Sequence, residues 1–309
     1  KFGTGSNNHV PQFLTQSSFL YDFDTDSKFS RHHLSINESP TCRQIIMDYY
    51  HEICERVLEQ KSTKSTYVQQ SLLNILPRLA AFNREEFVRK HLKNIVSYLL
   101  TTLNRKEKAD RNIAFITLGF IAVAVEKNIE VYINKIMEVI KASLPQKDGT
   151  LKKKSTMDAS VFICITLLSH AVKNGISKDI KDLLEPMFST GLTPALTICL
   201  REVAENIPNL KRDISDFLLK MLTQVLLKNP QPQVGTPVKQ NLTAQLAALT
   251  IQQSAVQDPQ PDISTIVLAL RTLGTFQFEG HNLLPFVQRC ADHFLINEHQ
   301  EIRIEAVQT

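Results

Sequence analysis

Nine histidines and five cysteines are the side chains with the widest chemical reach in this 309-residue sequence, so their spacing is the first question. A zinc site needs three or four Cys, His or carboxylate ligands converging on one point, often as pairs a few residues apart. His32 and His33 are adjacent but lie in a polar stretch, while His170 and His293 fall at the ends of helical text. There a solvated or dipole-facing role is commoner than ligation. Cys42, Cys54, Cys164, Cys199 and Cys290 are scattered and form no Cys-x-x-Cys pair. Three of them sit in apolar helical text such as VFICITLL and TPALTICL, which reads as buried thiols in a reducing compartment. No metal ligand set is expected.

Phosphate and nucleophile chemistry fare no better. Gly3, Thr4 and Gly5 are half of a glycine-rich loop, but no strand precedes them and no helix with a third glycine follows. The sequence holds no Gly-x-x-x-x-Gly-Lys-Ser/Thr, His-Glu-x-x-His, Gly-x-Ser-x-Gly, His-Arg-Asp or Asp-Phe-Gly. Carboxylates mostly begin helices or stand beside lysines, as caps and surface charge. One basic run, Lys147 with Lys152, Lys153 and Lys154, could meet an acidic partner, anionic lipid or RNA, but reads first as a solvated loop. No aromatic residue interleaves it, which argues against nucleic acid. The expectation is no catalytic, cofactor-binding or metal residue, no cofactor, no nucleic-acid partner and no direct membrane insertion.

Composition agrees. The chain is 43% hydrophobic and 21% charged, with a mean hydropathy of -0.13 and a net charge of +4. That is too apolar for a disordered chain and no footprint for wrapping nucleic acid. The longest apolar run, Ala114 to Val125, falls short of the ~20 residues that span a bilayer. Nine glycines are few for a sheet protein full of tight turns. The chain opens on Lys1, has no charged-then-apolar leader, and stops inside a periodic pattern; it reads as a piece of a longer soluble protein made in the cytosol.

The elements that position these residues are helices. Residues 1–40 read as a loosely ordered lead-in with Phe2, Phe13, Phe19, Phe23 and Phe29 at no helical spacing. Thr41 and Gln44 make a capping box ahead of a helix with Ile46, Tyr49, Tyr50, Ile53 and Val57 on one face. Tyr67 to Phe82 puts Val68, Leu72, Ile75, Leu76 and Leu79 on a stripe, with Pro77 as a kink. Asn83 with Glu86 caps a helix running to Leu103, and 109–126 is apolar nearly all round. Asn128 opens the next helix, making Ile129 a tolerant position at its start. Ser155 with Asp158 caps the helix that Gly175 ends through left-handed geometry. Helices then run from Asp179 to Phe188, from Thr193-Pro194 to Ile207, and through Ile214, Phe217, Leu218, Met221, Leu222, Val225 and Leu226. Asp262 and Asn282 open two more, and the last starts near Glu298. No strand is convincing.

Two helix types alternate. Amphipathic ones begin near 91, 131, 179, 216 and 283; ones apolar almost all round begin near 109, 157, 193, 262 and 300. The widest gap holds residues 229–261, read as a Pro/Gln-rich inserted loop that takes in AQLAALTI (244–251). Without it the step is ~40 residues, the period of HEAT/armadillo repeats. A two-helix unit cannot bury both faces of its inner helix alone, so neighbours must stack. The expected fold is an all-α, HEAT/armadillo-like solenoid, with repeats at 41–228 and 262–309; a single globular bundle would not require the alternation.

SLLNILPRLAAFN (71–83), AFITLGFIAVAVE (114–126), KDLLEPMFSTGLTPALT (181–197), FLLKMLTQVLL (217–227), IVLALRTLGTFQFEGH (266–281) and QRCADHFLINEHQEIRIEA (288–306) resemble, in order, the amino-terminal HEAT region of the target of rapamycin kinases. The resemblance covers roughly 42–309 and leaves the lead-in and the Pro/Gln loop unmatched. The family's kinase domain, the helical region ahead of it and its rapamycin-binding segment all lie carboxy-terminal to this stretch, so none of their motifs transfers to a residue here. The resemblance implies a non-catalytic scaffold within a large serine/threonine kinase of nutrient and growth signalling. It implies support for dimerisation with a second copy of the kinase and docking of raptor-like or rictor-like subunits. It also implies a cytoplasmic location with recruitment to lysosomal or other endomembranes. On the residues alone, the alternative is a stand-alone HEAT adaptor or transport-type protein holding cargo in its concave groove.

Overall fold

The computed structural model describes residues 39–63, 65–104, 108–145, 159–227, 262–278 and 282–309, and every regular element among them is helical. The lead-in, Lys147, Lys152 to Lys154, the Ser155–Asp158 cap and the 229–261 loop lie outside the described residues, and so does AQLAALTI. The described chain forms two compact units, one reaching Phe217 and taking in Phe278, the other made of the rest from Leu218.

In the first unit α1 (Pro40–Asp48) starts two residues earlier than the Thr41 capping box predicts. Ser39 is the cap, its hydroxyl accepting from the Cys42 N–H at 3.3 Å. The reason is Pro40, which drives the residue before it into extended backbone, where a cap belongs, and has no N–H to satisfy. Gln44 instead donates to Asp48 Oδ1 at 2.8 Å. The helix breaks at Tyr49, and α2 (Tyr50–Glu59) buries Tyr50 and Cys54, while Tyr49, expected on the buried face, is exposed because it sits at the break.

Next comes α3 (Thr66–Phe82), capped by Ser65, burying Leu72, Leu73, Leu76, Leu79 and Ala80 while Ile75 stays exposed. Pro77 lies inside it and offers no N–H to the Leu73 carbonyl. Thr117 Oγ1 of α5 (Lys108–Val125) reaches that carbonyl at 3.1 Å and the Ile113 carbonyl of its own helix at 2.8 Å, so the neighbouring helix supplies a donor that the two carbonyls share. Asn83 does cap, accepting from the Glu86 N–H at 3.4 Å. The single helix expected to Leu103 is nevertheless broken: a turn Arg84–Glu86 leads into a π turn Phe87–His91, and α4 is Leu92–Leu103.

The apolar helices form the centre. Every residue of α5 from Ala114 to Val125 is buried. So is Ser160 to Ser169 of α7 (Ala159–Val172). α3 packs on α5, α5 on α7, and α7 on α9 (Pro194–Asn206), while α4 lies against α5 and against α6 (Ile133–Ser143). This is the alternation read from the sequence: inner helices in a row, amphipathic partners beside them. Gly119 permits the α5–α7 approach, since a Cβ there would stand 2.6 Å from Leu167 Cδ1 and 2.9 Å from its Cβ.

The turns leaving the inner helices differ from expectation. α7 ends at Val172, and the left-handed residue is Lys173 (φ 53), not Gly175. α5 ends the same way at Glu126 (φ 52). Gly175 answers to space instead, because a Cβ there would lie 2.7 Å from Val172 Cγ1. Asn128 does not open a helix; its Nδ2 donates back to the Val125 carbonyl at 2.9 Å, and Glu126–Tyr132 is a 3-10 turn. Ile129 is therefore not tolerant: its side chain is 0% exposed, as is Ile176 in the matching 3-10 turn Lys173–Ile176. AVEKNI and AVKNGI are one turn used twice.

Two helical stretches, Asp110–Ser143 and Ala159–Phe188, are long and apolar enough to cross a bilayer by length and composition, which the apolar-run reading missed. Both are interrupted by the 3-10 turns, and 72% and 67% of their most apolar windows are buried against neighbouring helices. After α8 (Ser177–Phe188), Thr193 caps α9 as predicted, accepting from the Leu196 N–H at 3.2 Å with Pro194 in the first turn. α10 (Lys211–Leu227) begins in this unit, where Phe217 stacks on Phe188 at 5.3 Å.

In the second unit Asp262 caps α11 (Ile263–Thr275), accepting from the Thr265 N–H at 2.8 Å. Asn282 Oδ1 accepts from the Leu284 N–H ahead of α12 (Leu284–Phe294), and α13 spans Gln300–Gln308. α13 packs on both α11 and α12. Gly274 serves the α11–α13 crossing, where its Cβ would meet the Thr309 Cα at 3.1 Å.

Candidate functional site

The row of inner helices ends in a groove of about 770 Å³ running across the last turns of α5, α7 and α9. Its polar lining includes Glu126, Lys127, Glu130, His170, Lys173 and Asn206. The repeated left-handed turn puts these groups there, since Glu126 and Lys173 are the residues at which the chain reverses. His170 Nε2 stands 3.0 Å from Glu202 Oε2, joining α7 to α9. Asn206 Nδ2 donates to the Glu202 carbonyl at 2.8 Å and reaches Ser169 Oγ at 3.4 Å. Arg84 pairs with Glu126 at 2.6 Å. Lys127 and Lys173 are exposed.

A histidine held by a carboxylate is the orienting half of a nucleophilic site. The groove's lining brings it no hydroxyl or thiol to activate. Thiolates, not thiols, are nucleophiles. Burial pushes Cys54 and Cys290 up to about 11 and Cys199 up to about 12, and raises Cys164 further with Cys199 adding to the effect. All five cysteines are free, and only Cys42 is exposed. What this surface offers is hydrogen bonds and paired charge to another surface.

A second polar cluster joins α2 to the π turn. His51 Nδ1 lies 3.2 Å from His91 Nε2, while His51 Nε2 lies 2.8 Å from Glu86 Oε2 and 2.8 Å from Lys90 Nζ. Arg89 and Lys90 both pair with Glu86, and the Arg89 hydrogen bond is the largest cause of its carboxyl lying below the usual range. Burial, then the charge of His51, holds His91 below an ordinary imidazole. Tyr50 donates to the Leu79 carbonyl at 2.6 Å, and burial raises its phenol well above the ordinary value.

The sequence reading singled out His170, which lies in the groove, and His293, which sits at the end of α12 with its ring at 4.7 Å from Phe294. His32 and His33 lie outside the described residues. His51 and His91 went unremarked because no local spacing links them; only the return of the chain beside α2 brings them together. Among the described residues no group of three or more His, Cys, Asp or Glu is placed to hold a metal ion.

No family model matches the chain. It is 51% identical, over 92% of its length, to the serine/threonine-protein kinase mTor of Drosophila melanogaster. It is 32% identical over 85% of its length to the serine/threonine-protein kinase tor1 of Schizosaccharomyces pombe, and 29% identical over 85% to the serine/threonine-protein kinase TOR of Arabidopsis thaliana. The chain spans only 11%, 11% and 10% of those three relatives.

Proposed function

This chain is homologous to one segment of the target of rapamycin serine/threonine kinases, and on that premise we propose that it is a non-catalytic scaffold within such a kinase. The carrying observation is the size of the match: half the residues are identical across nearly the whole chain, yet the match takes up 11% of the relative. Phosphate transfer then belongs to the remainder of that protein. The scaffold's part is to hold a shape and present surfaces to the subunits of a signalling complex, raptor-like or rictor-like proteins and a second copy of the kinase. It would do so in the cytoplasm and, by recruitment, at lysosomal or other endomembranes.

The arrangement of α5, α7 and α9 supports this reading, because a row of inner helices sharing one core transmits a docking contact as a rigid surface. The groove across their ends is the surface we assign to a protein partner. Within the second unit α13 buries Ile302 and Ala306, while Ile304 and Val307 are 49% and 73% exposed, which leaves apolar surface on that helix. Cross-linking of the intact kinase complex tests the assignment through Lys127 and Lys173. Cross-links from these lysines to another polypeptide are expected. Cross-links confined to the same chain, with unchanged assembly after both are replaced by Glu, would overturn it. A stand-alone adaptor would instead be found free of any kinase.

A further inference from the structure

The cluster at α2 contains a proton arrangement that changes with acidity. Two neutral imidazoles 3.2 Å apart share one proton, one ring donating and the other accepting. A first added proton fits the site. On His51 it lets Nδ1–H donate to His91 Nε2 and Nε2–H donate to Glu86 Oε2, and Lys90 Nζ, which stands 2.8 Å from that Nε2, must then swing onto the same carboxylate, 3.6 Å away. A second proton does not fit, because it sets N–H against N–H and cation against cation beside Lys90 and Arg89. His91 is 5% exposed, so water offers little relief.

We propose that the His51–His91 contact is an acid-release latch, which ties α2 to the π turn Phe87–His91 when at most one ring is charged and loosens it when both are. The remaining groups facing the pair are fixed in charge across the relevant range or oppose release. From α2, Tyr50 and the Cys54 thiol stay protonated, and Glu55 favours a charged His91. From the turn, Glu86 remains ionised, with Arg89 and Lys90 paired to it. From α3, Phe82 stacks on Tyr50 with Arg43 of α1 over its ring at 5.2 Å, adding no group that titrates near neutrality. The sign follows from linkage. An imidazole held below 6.5 in the folded chain takes its proton more readily when unfolded. The contact therefore contributes fully above pH 6.5 and loses its contribution as the pH falls below that value. The π turn itself, a rare feature that often marks functional positions, aims His91 inward at the joint.

Amide exchange of the 309-residue chain, corrected for intrinsic rates, tests the latch at pH 7.5 and pH 5, both above the range where Glu86 titrates. The opening of Tyr50–Glu59 should rise several-fold at the lower pH while Val161 to Leu168 stays unchanged. His91→Gln, which keeps a neutral donor beside His51, should abolish the rise. Equal opening of α2 at both pH values, or the same rise in His91→Gln, would overturn the proposal. Should that variant not fold, imidazole titration by NMR in the unaltered chain decides: His91 protonation must coincide with shifts in the α2 amides, and its titration without them would overturn the latch equally.

Discussion

Thr117 and Pro77 show how far a single residue depends on another helix. Pro77 withdraws the donor that the Leu73 carbonyl would have had, and Thr117 Oγ1 returns one from α5. Thr117→Val should leave that buried carbonyl orphaned at a cost of about 1–3 kcal/mol. Pro77→Ala restores an internal N–H, so the same Thr117→Val change should cost clearly less in that background, which a double-mutant cycle by denaturant titration would read. Equal costs in both backgrounds would show the hydrogen bond to be incidental. The sequence shows a proline in a helix but not its rescue, because the two partners lie 44 positions apart. Ile129 was misjudged for a related reason. Read as the start of an exposed helix, it belongs to a 3-10 turn that folds it under the end of α5, a geometry visible only by aligning AVEKNI with AVKNGI.

At the scale of elements, most helices were legible because their caps are local. Asn83, Thr193 and Asp262 each accept from the backbone three residues on, as their types predict. The breaks were not legible: nothing in residues 84–103 announces the π turn, since the apolar spacing continues through it. The inner and outer types were legible through their apolar breadth, and the packing order follows from it. Leu118, fully buried in α5, is the place to test that order. Leu118→Ala should cost about 2–5 kcal/mol through lost contacts and a residual cavity. Amide exchange should then quicken most in α3, α4, α5 and α7, which touch one another through α5, and less in α9, which packs chiefly on α7 of that group. Equal quickening throughout the unit would mean one closed core in place of a stack. Ile129→Ala should be damaging on the same scale, contrary to its expected tolerance.

For the whole molecule, the absence of catalytic motifs in the sequence and the wide core of inner helices fit together. Among the described residues, several that could do chemistry are spent on joints: His170 with Glu202 across α7 and α9, Arg84 with Glu126, His51 with His91 and Glu86. The groove could not be read from the sequence, because apolar periodicity identifies the buried face and leaves the exposed one unassigned. In the proposed function this segment scaffolds a kinase without taking part in phosphate transfer. Gly119 gives the sharpest test, since any side chain there must push α7 away from α5. In the intact kinase, Gly119→Leu should disrupt the row by overpacking, at a cost of about 1–3 kcal/mol or more. Measured on one purified preparation, recovery of the partner subunits should fall while phosphorylation of a short peptide substrate is retained. Loss of peptide phosphorylation with the full set of subunits still bound would contradict the account.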